Sequence, residues 1–146
     1  MIPVWDKRVA DWVSPRVSPA DRGFGKCQAL GVVHKGELVA GLVFHNWEPE
    51  AGVIEISGAA KDARWMTRAV MNTALGYVFD GLECQMVLAR QRKYNIRPRK
   101  AWLALGGSEV VIPRLYGRGQ DGTIITLTAE QWRASKFYQG GTDGQK

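Results

Sequence analysis

Four groups of residues in this 146-residue chain could do chemistry. Glu55 is a carboxylate set between Ile54 and Ile56 in the strand-like segment Val53–Ala59. Side chains alternate along a strand, so Glu55 points away from the face that Ile54 and Ile56 would bury. There it either handles protons or pairs with a nearby arginine. His45, followed by Asn46 and Trp47, ends the apolar run Leu42-Val43-Phe44. An imidazole with an ordinary pKa of about 6.5 suits proton transfer; recognition, a metal ligand or a strand-end histidine bonded to backbone are the other readings. The third group is the passage from Ser57 through Gly58 and Ala59 to Arg64, Trp65, Met66, Thr67 and Arg68, where a strand runs through a short loop into a helix. Free N–H groups at such a helix start, with the positive end of its dipole, make a pyrophosphate site. Arg64 and Arg68 add charge, and Thr67 a hydroxyl. The fourth is the run 90–100, with six basic residues (Arg90, Arg92, Lys93, Arg97, Arg99, Lys100) around Tyr94 and Asn95. Such a mixture grips phosphates and stacks bases, or forms a solvated face.

The elements that must position these groups follow from the hydrophobic period. Residues 4–13 place Val4, Trp5, Val9, Trp12 and Val13 on a helical stripe, which Ser14-Pro15 should stop. Cys27–Val33 and Leu38–Trp47 read as a hairpin about the turn 34–37, and Val53–Ala59 as a third strand after the turn 48–52. The period then changes to that of a helix over Ala63–Phe79, ended by Asp80-Gly81. Gln85–Ala89 is a short apolar strand, followed by a basic loop and a helix over Pro98–Leu105, closed by Gly106-Gly107. Strands over Glu109–Tyr116 and Thr123–Leu127 come next, and Thr128 caps a last helix over Ala129–Lys136. The length suits a single α/β domain over residues 1–138, with a disordered tail at 139–146.

Bulk properties narrow the classes. The net charge of +6 and pI of about 9.6 fit an anionic partner, either a polynucleotide or a cofactor carrying several phosphates. Cys27 and Cys84 are isolated in apolar segments and read as small buried hydrophobes. No His/Cys/Asp cluster has ligand spacing, so no metal is expected. No apolar run approaches the roughly 18–20 residues that span a bilayer, and the first residues lack a signal peptide's pattern. A cytoplasmic protein with no membrane partner is the expectation.

From Asn95 the chain carries Pro98 three residues on, Trp102 seven on and Gly106 eleven on. This resembles the GNAT acyltransferase family, in which an Asn, a small residue, an aromatic and a Gly stand at those offsets after the fifth strand. Glu55-Ile56-Ser57 likewise resembles the Glu-Ile-Gly of the family's fourth strand. The resemblance covers roughly residues 28–128. It implies a mixed, mostly antiparallel sheet splayed between strands four and five, with helices on both faces. Two departures stand out. The family's glycine-containing pyrophosphate loop is replaced by Arg64-Trp65-Met66-Thr67-Arg68, and Trp102 stands where many relatives carry an acidic Tyr. The Trp-x-Thr-Arg opening of the helix resembles a divergent GNAT-like branch common in bacteriophages and prophage regions.

The resemblance implies an N-acyltransferase using acetyl-CoA or another acyl-CoA. An amine, on a small molecule or a macromolecule, would attack the thioester directly. Backbone N–H groups near Ser57, Gly58 and Ala59 would hold the thioester carbonyl. Arg64 to Arg68, Asn95, Arg97 and Trp102 would hold the rest of the donor. Glu55 or His45 would act as base, and Tyr94 or Tyr116 would replace the missing acid, because Trp102 cannot supply a proton. Two other readings stand beside it: a phage-associated enzyme of this fold that modifies DNA bases, and a non-catalytic interaction protein. A homodimer is a further expectation.

Overall fold

The structure, a computed structural model, describes residues 1–18 and 22–140. The elements in chain order are β1 (Ile2–Trp5), α1 (Val9–Val17), β2 (Cys27–His34), β3 (Glu37–Glu48) and β4 (Val53–Ala60). A 3-10 turn (Ala63–Trp65) leads to α2 (Arg68–Gly76), which runs into a π turn (Tyr77–Gly81). Then come β5 (Met86–Arg92), α3 (Ile96–Ala104), β6 (Ser108–Ile112), β7 (Gly122–Thr128) and α4 (Ala129–Ala134). All seven strands form one sheet in the order β1-β2-β3-β4-β5-β7-β6. Every pairing is antiparallel except that of β4 with β5. The α/β class, the mixed sheet and helices on both faces are as the sequence implied.

Alternation decides what each face carries. Leu30, Leu42, Phe44, Ile54, Ile56, Val87 and Leu127 bury one face of the sheet under Val70, Met71, Ala74 and Leu75 of α2 and Trp132 of α4. The other face takes α1, whose Val9, Ala10 and Val13 pack with Ala29 and Val43. Close approach of α1 depends on Gly41: a Cβ there would lie 2.6 Å from Val9 Cγ1 and 2.7 Å from Val13 Cγ2. Since α1 lies over β2, β3 and β4, no helix among the described residues packs on the same face of β5, β7 and β6.

Several expected boundaries move. Residues 2–5 pair with Leu30–Val33 as an edge strand, so Val4 and Trp5 belong to no helix. That helix starts at Val9 and passes through Pro15 to Val17. Proline lacks the N–H that would bond Asp11 O, and so near the end of a short helix it removes one bond without breaking the turn. The expected helix 63–79 is divided. Asp62 caps the 3-10 turn by accepting from Arg64 N, and Thr67 then caps α2 by accepting from Val70 N. The expected basic loop is partly strand, because Arg90, Gln91 and Arg92 pair with Ile124, Thr123 and Gly122 of β7. α3 begins at Ile96, two residues before Pro98. β6 ends at Ile112 rather than 116. The capping box between Thr128 and Gln131 starts α4 where expected, though α4 stops at Ala134. Of the tail 139–146, Gln139 donates its N–H to Asn72 Oδ1, and residues 141–146 lie outside the described residues.

Candidate active site

β4 and β5 form a fork. Their pairing consists of Val53↔Met86, Ile54↔Val87 and Glu55↔Leu88, and stops there although both strands continue. Lys61 N donates to Val39 O on the β3 side, whereas Gly52 O accepts from Gln85 N and Met86 N on the β5 side. Backbone groups alternate along a strand, so even-numbered residues of β4 turn theirs toward β5. Past the end of the ladder, the N–H groups of Gly58 and Ala60 therefore face the gap with no strand partner. Gly58 has a second constraint: a Cβ there would meet Leu42 Cδ2 at 2.8 Å and the Gly41 carbonyl oxygen at 3.2 Å.

On the α2 face of the sheet, an apolar cleft of about 190 Å³ lies between α2 and α3, lined by Met66, Met71, Ala101, Ala104, Leu105 and Phe137. The C-terminal segment forms part of its wall. Asn72 Nδ2 donates to Phe137 O (2.9 Å) and Arg68 Nη1 to Lys136 O (2.6 Å). Trp65, Met66 and Trp102 pack against the core beside the cleft. At the start of α2, Thr67 Oγ1 accepts from Val70 N and keeps its own proton free to donate. Arg64 is bound to Asp62 and holds that carboxyl at about 2, below the usual range. The helix start thus offers backbone N–H groups and a hydroxyl, while both guanidinium groups are already engaged.

On the opposite face, Glu55 and His45 are cross-strand partners, each 8% exposed. His45 Nε2 lies 2.8 Å from Ser57 Oγ, and Phe24 covers the imidazole with ring centroids 4.8 Å apart. Burial pushes the His45 pKa below the ordinary imidazole value; Glu55 opposes this shift and Arg90 adds to it. Asn46 sits at a bulge in β3 with φ of 53°, where the register shifts between His45 and Glu48. Regular alternation would send its side chain to the other face. The bulge brings Asn46 Nδ2 to within 3.0 Å of Glu55 Oε1 instead. Arg90 Nε lies 3.5 Å from Glu55 Oε2.

Tyr116 completes this face. Its ring stacks on Gly122, where a Cβ would come within 2.7 Å of the ring carbons, and the Arg92 guanidinium lies 4.7 Å above the ring. Burial raises its pKa, against the opposing fields of Arg90 and Arg92, so the phenol keeps its proton near neutrality.

The structure thus brings together Glu55, His45 and Ser57, and sets Gly58 beside the fork; Ala59 lies on the His45 face, packed toward α1. Tyr94 is not part of that cluster. It is 68% exposed and lines a separate shallow cleft with Lys93, Ile96, Arg99 and Asp121. Asn95 and Arg97 are exposed at the start of α3, and Asn95 makes no side-chain cap. Asn46, Arg90 and Phe24 were not singled out from the sequence as catalytic-site groups. Asn46 had one signal, since Asn tolerates positive φ and precedes a turn; Phe24 had none.

No family model matches the sequence, and no curated protein matches it. Solved structures do match. One is Mycobacterium smegmatis RimJ in complex with CoA-disulfide, with TM-score 0.63, 20% identity, and coverage of 77% of this chain and 58% of that one. A second is a GCN5-related N-acetyltransferase from Brucella melitensis, with TM-score 0.62, 21% identity, and coverage of 75% and 54%. A third is a variant of the spermidine N-acetyltransferase SpeG from Vibrio cholerae, with TM-score 0.65, 14% identity, and coverage of 75% and 70%. This chain therefore has the GNAT fold. It spans little more than half the length of the first two of these structures.

Proposed function

We propose that the chain is an acyl-CoA-dependent N-acyltransferase, with acetyl-CoA as donor and a primary amine as acceptor. The observation that carries this is the fork, where β4 and β5 part beyond Glu55, with the carboxylate–imidazole–hydroxyl cluster of Glu55, His45 and Ser57 on one face of the sheet and an apolar cleft on the other. The fold's likeness to a CoA-bound acetyltransferase supports it.

The residues fit such a donor. Met66, Met71, Ala101, Ala104, Leu105 and Phe137 offer an apolar cleft for a flexible arm. The first N–H groups of α2 and the Thr67 hydroxyl would take the pyrophosphate. Gly58 and Ala60 would direct N–H groups at a carbonyl oxygen in the fork. When bound, an acyl-CoA supplies a thioester carbon open to attack by an amine. The protein's own part is then proton handling. Glu55, held as an acceptor by Asn46 and Arg90, draws in the amine as its ammonium form. His45, kept neutral by burial, takes the proton through the Ser57 hydroxyl. Tyr116, protonated near neutrality and on the same face, would give its proton to the thiolate released in the fork.

The test is thermal denaturation with and without acetyl-CoA, followed by thiol release over a panel of amines. A rise in Tm with acetyl-CoA and amine-dependent thiol release are expected. Neither a shift nor turnover with any amine or acyl-CoA would overturn the reading and favour a non-catalytic protein of this fold.

A further inference from the structure

The acceptor side of the fork is lopsided in charge. Glu55, on β4, is its one buried carboxylate among the described residues, and beyond its partner Leu88 the next residues of β5 on the same face are Arg90 and Arg92. Residues two apart on a strand lie about 7 Å from each other, so the three charges make a short row of one minus and two plus. Arg90 Nε lies 3.5 Å from Glu55 Oε2, and the Arg90 side chain is 53% exposed. Its terminal nitrogens make no hydrogen bond among the described residues. Arg92 forms no ion pair among the described residues and is held over the Tyr116 ring at 4.7 Å. A guanidinium fixed in this way keeps its fork of donors for a planar or tetrahedral anion. Among the described residues no helix packs over β5 on this face, and the half-exposed Arg90 side chain opens the row to a small molecule.

Resting on the acyltransferase reading, we propose that the acceptor is a small zwitterionic amine, whose ammonium group meets Glu55 and whose anionic group is read by Arg90 and Arg92. The anion is a carboxylate or a phosphate a few bonds from the nitrogen. A free amino acid has both charges at that spacing, and so does a phosphorylated amino alcohol. A polyamine has the wrong charge for this row. Its second ammonium would meet Arg90 or Arg92, and like charges at such range reject a ligand. Spermidine, the substrate named for one protein of the same fold, is therefore a poor acceptor here.

The experiment measures kcat/KM by thiol release from acetyl-CoA with four acceptor sets: amino acids, phosphorylated amino alcohols, spermidine, and neutral monoamines of matched size. Anionic acceptors are expected to exceed the other two sets by about tenfold or more; whether carboxylates or phosphates lead identifies the anion. Arg92→Gln should raise KM for the anionic acceptors by about tenfold and leave the thermal shift with acetyl-CoA in place. Arg92→Glu should invert the preference toward spermidine. Acetylation of spermidine or neutral amines at least as well as the anionic sets overturns this inference and leaves the acyltransferase reading standing. No acetyl-CoA binding and no turnover with any set overturns both.

Discussion

Asn46 donates its side-chain amide to Glu55 across a bulge, Nδ2 to Oε1 at 3.0 Å, from a backbone position with φ of 53°. One extra residue in β3 thus turns an outward side chain into a partner of the buried carboxylate. Glu55 is fixed between this amide and Arg90, and His45 is fixed by Ser57 beside it. Asn46→Gly keeps the left-handed backbone at low cost and removes only the amide. It should raise the acceptor KM several-fold with Tm nearly unchanged, measured by steady-state kinetics and thermal denaturation. An unchanged KM would remove the amide from the site.

Glu55 and His45 should separate kinetically. Glu55→Gln is expected to act mainly on acceptor KM, because it removes the charge that draws the ammonium. His45→Ala is expected to lower kcat by about 10²-fold or more, the range of a lost general base. The opposite pattern would exchange their roles.

The His45 shift has a sign that can be checked. Its pKa is below the unfolded value in the fold, so the unfolded chain binds more protons at mildly acidic pH. Stability from this group is complete above the ordinary value of about 6.5 and is lost as pH falls toward the folded pKa. Denaturation midpoints should therefore fall below about pH 6.5, and His45→Gln should flatten that slope. The acid limb of kcat should likewise lie below the ordinary imidazole value.

Gly58 should resist any side chain. Gly58→Ala puts a carbon 2.8 Å from Leu42 Cδ2 and 3.2 Å from a carbonyl, and overpacking of this kind costs about 1–3 kcal/mol. The expected readout is a lower midpoint in urea, with weaker acetyl-CoA binding because the fork edge moves. A wild-type midpoint would show that β4 yields freely there.

The cleft can be closed from its exposed wall. Ala104 lies on the last turn of α3 and lines the cleft with Met66 and Phe137. Ala104→Phe should leave the fold intact and abolish the Tm rise with acetyl-CoA. A retained shift would place the donor elsewhere.

The sequence by itself determined the order of strands and helices from α1 onward, the facing of Glu55 away from Ile54 and Ile56, and the GNAT resemblance from Asn95 to Gly106. These are properties of local period and spacing, which a single chain displays directly. It did not determine where strands gain partners. Val4 and Trp5 fit a helical stripe as well as a strand, and only pairing with β2 decides for the strand. Arg90 and Arg92 look like loop residues until β7 pairs with them, and that pairing aims both at the Glu55 face. The bulge at Asn46 and the fork after Glu55 are likewise invisible locally, because each is a mismatch between two strands. Tyr94 drew notice as the aromatic inside the basic run, yet the fold leaves it exposed and places Tyr116 beside Arg92 instead. Sequence spacing fixes which groups share a strand face; which faces meet around a reacting carbon is decided by contacts between residues far apart in the chain.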